Sequence, residues 1–203
     1  MTIIQSRQAL RQAIKAKRAA LSQSEQHQAS QQLLQQMQTL DEIKSAKSVA
    51  LYHSLNGEID TAPCIEWLWQ QGIHVYLPVI HPFSAGHLLF LRYTADTQMC
   101  SNQYSIQEPK LDIRHVLPTY KLDIIFTPLV AFDENGERLG MGGGYYDRTL
   151  ANWFSSQTGA KPIGLAHDCQ RVDAIPCEAW DVPLPKIITP SKIWNWESKR
   201  LAL

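Results

Sequence analysis

The sequence lacks a surplus of charge: 19 lysines and arginines face 19 aspartates and glutamates across 203 residues. Holding nucleic acid or a membrane surface by bulk electrostatics needs excess positive charge, so neither partner is expected. Long apolar runs are also missing. Stretches such as 124–132 (IIFTPLVAF) fall far short of the roughly 20 residues a bilayer-spanning helix requires, and the first residues have no apolar segment of secretory type. Cysteine is scarce. Cys64, Cys100, Cys169 and Cys177 form no C-x-x-C pair and no zinc-finger spacing with histidine; Cys169 follows His167 by two residues, a weak signal on its own. Free thiols in a reducing, cytoplasmic compartment are the expectation. What is present, 44% hydrophobic and 19% charged residues, suits a packed globular core. With no repeat and no Pro/Gly/Ser linker, residues 1–203 are expected to form a single domain.

The zero balance hides a split. Residues 1–24 hold Arg7, Arg11, Lys15, Lys17 and Arg18 and no acid, so they carry +5 and the remainder −5. At about 100° per residue, Ile3, Leu10, Ile14 and Leu21 form one narrow stripe of a helix over 3–21. Arg7, Arg11, Lys15 and Arg18 form an adjoining one. Three readings are open for these cations: a solvated helix face, an organelle-targeting helix, or a segment folding back so that Arg7 and Arg11 close over a polyphosphate. Ser22 followed by Glu25 makes a capping box that opens a second helix to about residue 40. Its glutamine run keeps apolar spacing through Leu33, Leu34, Met37 and Leu40, which argues a solvated helix face.

Beyond residue 40 strand and helix signals alternate. Strands are expected at 48–55, 74–80, 123–132, 161–167 and 186–189, with a helix after Asp60 or Thr61 and another from about Gly144. Near-continuous apolar strands separated by helices predict an α/β fold, a mostly parallel sheet covered on both faces with the N-terminal helical pair (1–40) packed onto it. Residues 81–94 read as an antiparallel elaboration. In such sheets ligands sit outside the carboxyl ends of the strands, which points to 56–60 and 133–148.

The second of these segments contains GERLGMGGGYYDR, residues 136–148, with five glycines. Between a strand and a helix start, such a loop presents backbone N–H groups to an anion, and glycine lets phosphate oxygens approach without a Cβ in the way. It matches neither G-x-x-x-x-G-K-[ST] nor G-x-G-x-x-G. Arg138 supplies a planar guanidinium fork suited to phosphate, and Asp147 a carboxylate able to hold Mg²⁺ against phosphate oxygens. The competing reading is a surface turn ahead of a helix. Glu58 is placed either to meet a ligand or to complement a helix dipole. His53 reads as a core or pocket histidine.

This loop closely resembles the signature of the 5-formyltetrahydrofolate cyclo-ligase (5,10-methenyltetrahydrofolate synthetase) family. The resemblance extends to the basic helix ending in Leu21-Ser22, to residues 51–61 (LYHSLNGEIDT), 104–110 (YSIQEPK) and 175–190 (IPCEAWDVPLPKIITP). It implies a phosphosugar-isomerase-like α/β fold and MgATP-dependent conversion of 5-formyltetrahydrofolate to 5,10-methenyltetrahydrofolate, with ADP and phosphate released. It further implies ATP contacts from Arg7, Arg11, Arg138, Leu139, Gly140, Gly142, Gly143, Gly144, Tyr145 and Tyr146. Folate contacts would come from His53, Glu58, Tyr104 and Tyr146, and Mg²⁺ ligation from Asp147 and Asp181. Some relatives carry a further acid after the position of Asp181, where this chain has VPLPK. Arg138, Tyr146 and Glu58 are the residues expected at the chemistry, and a monomer is favoured.

A formamide carbon is a poor electrophile toward N10. Phosphorylating the formyl oxygen would give an N5-iminium phosphate, which N10 attacks as phosphate departs. No covalent enzyme nucleophile is required, so the protein's tasks are alignment and charge stabilisation.

Overall fold

The computed structural model describes residues 6–156 and 158–197. Helix α1 runs Arg7–Ala19, capped by Ser6, whose hydroxyl accepts the Ala9 N–H at 3.2 Å. The expected start of this helix, with Ile3, lies outside the described residues. Leu10 and Ile14 are buried as the stripe requires, and Arg18, expected on the charged stripe, is buried with them. Helix α2, Gln23–Gln38, opens on the anticipated capping box: Ser22 accepts the Glu25 N–H while Glu25 accepts the Ser22 N–H at 2.8 Å. A short α3, Asp41–Ser45, was not expected.

The chain then runs through β1 (Ser48–Ala50), α4 (Ala62–Gln70), β2 (His74–Ile80), β3 (Leu88–Tyr93), β4 (Met99–Ser101), β5 (Gln107–Pro109) and β6 (Val116–Leu117). The chain continues with β7 (Ile124–Pro128), β8 (Ala131–Phe132), β9 (Arg138–Leu139), α5 (Tyr145–Ser156), β10 (Lys161–Leu165), β11 (Lys186–Ile188) and β12 (Ile193–Asn195). Eight strands make one mixed sheet in the order β12-β11-β10-β7-β1-β2-β3-β6. The five from β11 to β2 are parallel, and β3, β6 and β12 pair antiparallel at the flanks.

The central strands are buried on both faces, which explains their unbroken apolar runs. Val49, Ile124, Phe126, Ile163 and Leu165 face a core shared with α2, α3 and α4, while Ala50, Ile125 and Ile187 face the opposite core beneath α5. A third cluster places Leu10 and Ile14 of α1 against Val130, Ala131 and Leu139.

Two expected strands are shorter than their apolar runs. The first ends at Ala50: after Leu51, which still donates to Tyr76 O at 3.0 Å, the Tyr52 carbonyl turns to the Thr61 hydroxyl at 2.5 Å. The 123–132 run breaks after Pro128. The Leu129 and Val130 carbonyls accept the Gln170 amide at 2.7 and 3.0 Å instead of a ladder partner, and β8 pairs with β9. Both departures lie at the carboxyl end of the sheet. Strand order reverses between β1 and β7, and Tyr52 and Pro128 at the ends of those strands both line one cavity.

Candidate active site

The glycine-rich loop joins β9 to α5. Its first residues are fixed from below, because the Leu139 side chain is wholly buried with Leu10 and Ile14, leaving only its backbone to offer a ligand. Arg11 Nε donates to Gly140 O at 2.8 Å, so α1 folds back onto the loop. Gly144 adopts φ +66°, and a Cβ added there would lie 2.8 Å from Arg148 Nη1. Arg148 braces this bend, donating to Gly86 O at 2.8 Å and also to Gly143 O. The bend delivers the chain into α5, whose first residues Tyr145, Tyr146 and Asp147 line the cavity, and a helix N-terminus there is suited to anions.

Two arginine–aspartate pairs flank the loop. Arg138 is 3% exposed; its Nε donates to Val182 O at 3.1 Å and its Nη2 to Asp147 Oδ1 at 2.5 Å. Burial lowers the Arg138 pKa, and Asp147 and Asp181 oppose that shift by attraction. Arg7 grips both Asp181 oxygens and the Pro176 carbonyl. Burial alone would raise the Asp181 carboxyl, but the Arg7 hydrogen bond and the Glu178 N–H outweigh it and hold it below the usual range. Among the described residues no group of three or more His, Cys, Asp or Glu side chains is arranged to hold a metal. Asp147 and Asp181 each arrive already paired with an arginine.

The loop forms one wall of a cavity of about 680 Å³. Its other walls are the residues after β1, the end of β2, and the β4–β5 hairpin, whose Glu108 accepts the Ile80 N–H at 3.2 Å and the Asn102 amide at 2.9 Å. His53, Glu58, Tyr104, Arg138, Tyr145, Tyr146 and Asp147 all line it; Arg7, Arg11 and Asp181 are not in its wall. Burial pushes the Glu58 carboxyl up, opposed by the Leu55 N–H and by Arg18 and Lys15. The Tyr146 hydroxyl is buried without a partner among the described residues, and burial, reinforced by Glu58, raises its pKa. Burial lowers the His53 imidazole. Across the opening, the hydroxyls of Tyr104 and Tyr145 meet at 3.2 Å. A lining with few charges and several converging polar groups suits a flat, mostly apolar ligand placed against the glycine-rich loop.

The sequence profile of the 5-formyltetrahydrofolate cyclo-ligase family matches residues 3–190. The chain belongs to that family. It is 53% identical to the 5-formyltetrahydrofolate cyclo-ligase of Escherichia coli strain K12 over 183 residues, 90% of this chain and 100% of the relative. The Haemophilus influenzae cyclo-ligase is likewise 53% identical over 184 residues, 91% of this chain and 97% of the relative. Among solved structures, Aquifex aeolicus 5,10-methenyltetrahydrofolate synthetase superposes with a TM-score of 0.79 at 28% identity, covering 94% of this chain and 92% of that one. The Mycoplasma pneumoniae synthetase gives 0.72 at 28%, covering 92% and 99%.

In this cyclo-ligase-family chain, the charged and aromatic side chains singled out from sequence fall into two groups. His53, Glu58, Tyr104, Arg138, Tyr145, Tyr146 and Asp147 converge on the cavity, joined by Gly140, Gly143 and Gly144 of the loop but not by Leu139 or Gly142. Arg7, Arg11 and Asp181 form an outer layer that ties α1 to the loop and to the C-terminal segment. Sequence reasoning missed Arg148, whose partners Gly86 and Gly143 are brought together only by the fold, and Glu108 with Asn102, which position the hairpin. The D-R ending of the loop motif was the one available signal for Arg148. No helix among the described residues is long and apolar enough to cross a membrane.

Proposed function

We propose that this chain performs the reaction its family is named for, converting 5-formyltetrahydrofolate to 5,10-methenyltetrahydrofolate at the expense of ATP, with the folate in the 680 Å³ cavity and the triphosphate over residues 138–146. The observation that carries this reading is the meeting of Arg138 and the glycine loop with a cavity that also holds Glu58 and the buried Tyr146 hydroxyl.

The γ-phosphoryl group passes to the formyl oxygen and ADP leaves. N10 then donates its lone pair to the formyl carbon and loses its proton, and the carbon–oxygen bond breaks with release of phosphate. Charge spreads over the phosphoryl oxygens during transfer, where the buried Arg138 fork and the loop N–H groups stabilise it. Arg11 holds α1 against the loop and adds positive charge around the phosphates, while Arg7 ties α1 to Asp181 and so keeps Arg11 in place. Glu58 orients the pterin or formyl group, and Tyr146 supplies a hydroxyl to the same end of the cavity. His53 and Tyr104 shape the folate walls.

Magnesium binds through one or two carboxylates together with phosphate oxygens and waters, so a three-residue cluster is not required. Asp147, in the cavity wall beside Arg138, fits that role, and Asp181 reaches it only by releasing Arg7. When bound, Mg²⁺ would neutralise phosphate charge. The test is to mix the protein with MgATP and 5-formyltetrahydrofolate and follow the methenyl chromophore. ATP-dependent growth is expected; its absence at every protein concentration would overturn the reading.

A further inference from the structure

Arg18 is wholly buried, yet among the described residues two of its three guanidinium nitrogens, Nε and Nη1, have no hydrogen-bond partner. The third, Nη2, donates to Asn56 O at 3.1 Å. Arg18 completes the Leu10–Ile14 stripe of α1, a position that a leucine would fill without desolvating a charge. A buried guanidinium so poorly paired costs stability, and such costs concentrate at functional sites.

What Arg18 touches is the turn that carries Glu58. Asn56 (φ 50°) and Gly57 (φ 73°) are consecutive left-handed residues, and a Cβ on Gly57 would lie 3.4 Å from the Arg18 carbonyl oxygen. The turn closes where the Leu55 N–H donates to Glu58 Oε2 at 3.1 Å. His167, 2% exposed, also stands close to the Gly57 and Glu58 backbone. We propose that Arg18 is a positioning residue for folate binding: it clamps the 55–58 turn from behind and sets a positive charge against the Glu58 carboxylate. One helix thereby reaches both sides of the reaction, with Arg11 on the glycine loop and Arg18 on the folate turn. The inference rests on the cyclo-ligase reading above.

Several groups bear on Glu58: Tyr52 at the end of β1, Tyr146 on α5, Lys15 and Arg18 on α1, and His167 after β10. Burial raises the carboxyl while Arg18 and Lys15 lower it. Loss of Arg18 therefore raises it further.

The experiment is steady-state kinetics in both substrates, across pH, for wild type, Arg18→Gln and Arg18→Lys. Arg18→Gln should raise KM for 5-formyltetrahydrofolate about tenfold, as expected for losing a charged hydrogen bond, with KM for ATP almost unchanged. The acid limb of kcat/KM for folate should move to higher pH, and Arg18→Lys should move it back. Parallel changes in both KM values with an unmoved acid limb, or wild-type kinetics, would overturn the proposal. Should Arg18→Gln fail to fold, Arg18→Met, which keeps the apolar stem, takes its place. A thermal midpoint at or above wild type with weakened folate binding supports positioning; a lowered midpoint with folate KM intact refutes it. If wild type itself makes no methenyl product, the functional reading fails and this inference with it. If wild type turns over and the Arg18 variants match it, only the role of Arg18 fails.

Discussion

Arg7 and Asp181, 174 residues apart in sequence, form a two-point ion pair that closes the N-terminal helix over the segment after His167, with one of the two contacts at 2.9 Å. The pair leaves neither side chain in the cavity wall. Its consequence is indirect: it holds α1 so that Arg11 stays on Gly140.

Arg7→Ala should therefore raise KM for ATP about tenfold, the scale of a lost charge-assisted hydrogen bond, and leave KM for folate nearly unchanged. Asp181→Asn should do the same, and the double variant should be no worse than either alone, because both remove one interaction. Additive losses in ATP kinetics would instead give Asp181 a second task, such as metal ligation.

Arg138→Ala removes a buried charge that faces Asp147 and the loop, and kcat should fall about 10²–10³-fold, as when a preorganised donor to a transition state is deleted. Arg138→Lys should recover little, since an ammonium does not reproduce the fork that reaches Val182 O and Asp147 together. Single-turnover measurement of ADP formation separates this loss from slow product release.

Tyr104→Phe deletes the hydroxyl that meets Tyr145 across the cavity opening. Folate affinity should weaken about threefold to tenfold, the range of one hydrogen bond, through faster dissociation. ATP kinetics should hold. Stopped-flow measurement of folate release provides the check.

Far from the cavity, Glu42 on α3 joins Lys161 of β10 at 2.7 Å and also Lys186 of β11. Burial alone would raise its carboxyl, but the two lysine hydrogen bonds outweigh this and lower it from 4.5 to about 2. A folded-state value below the unfolded one contributes stability above pH 4.5, lost as pH falls toward about 2. Glu42→Gln should lower the thermal midpoint by about 2–4 °C at pH 7. That difference should shrink as the scan is repeated at acid pH, and a constant offset would contradict the pairing.

Much of the site was legible because its residues sit close together in sequence or carry distinctive local chemistry. The loop from Gly136 to Arg148 announces backbone donors by its glycines, and the capping box at Ser22 and Glu25 announces a helix start by spacing. Parallel strands were readable from apolar runs buried on both faces. Where those runs ended was not, because Leu129, Val130 and Tyr52 leave the ladder for partners, the Gln170 amide and the Thr61 hydroxyl, that only folding supplies.

The sequence by itself determined the mostly parallel α/β character, the glycine-rich loop between strand and helix, and the basic character of the first helix, all of which follow from local periodicity and residue chemistry. Only the tertiary structure decided what each cation meets. Arg7, Arg11 and Arg18 look alike on one helix, yet they reach Asp181, Gly140 and Asn56 respectively. Helical spacing specifies a direction around the helix axis; the identity of the partner depends on which distant segment the packed core brings to that side.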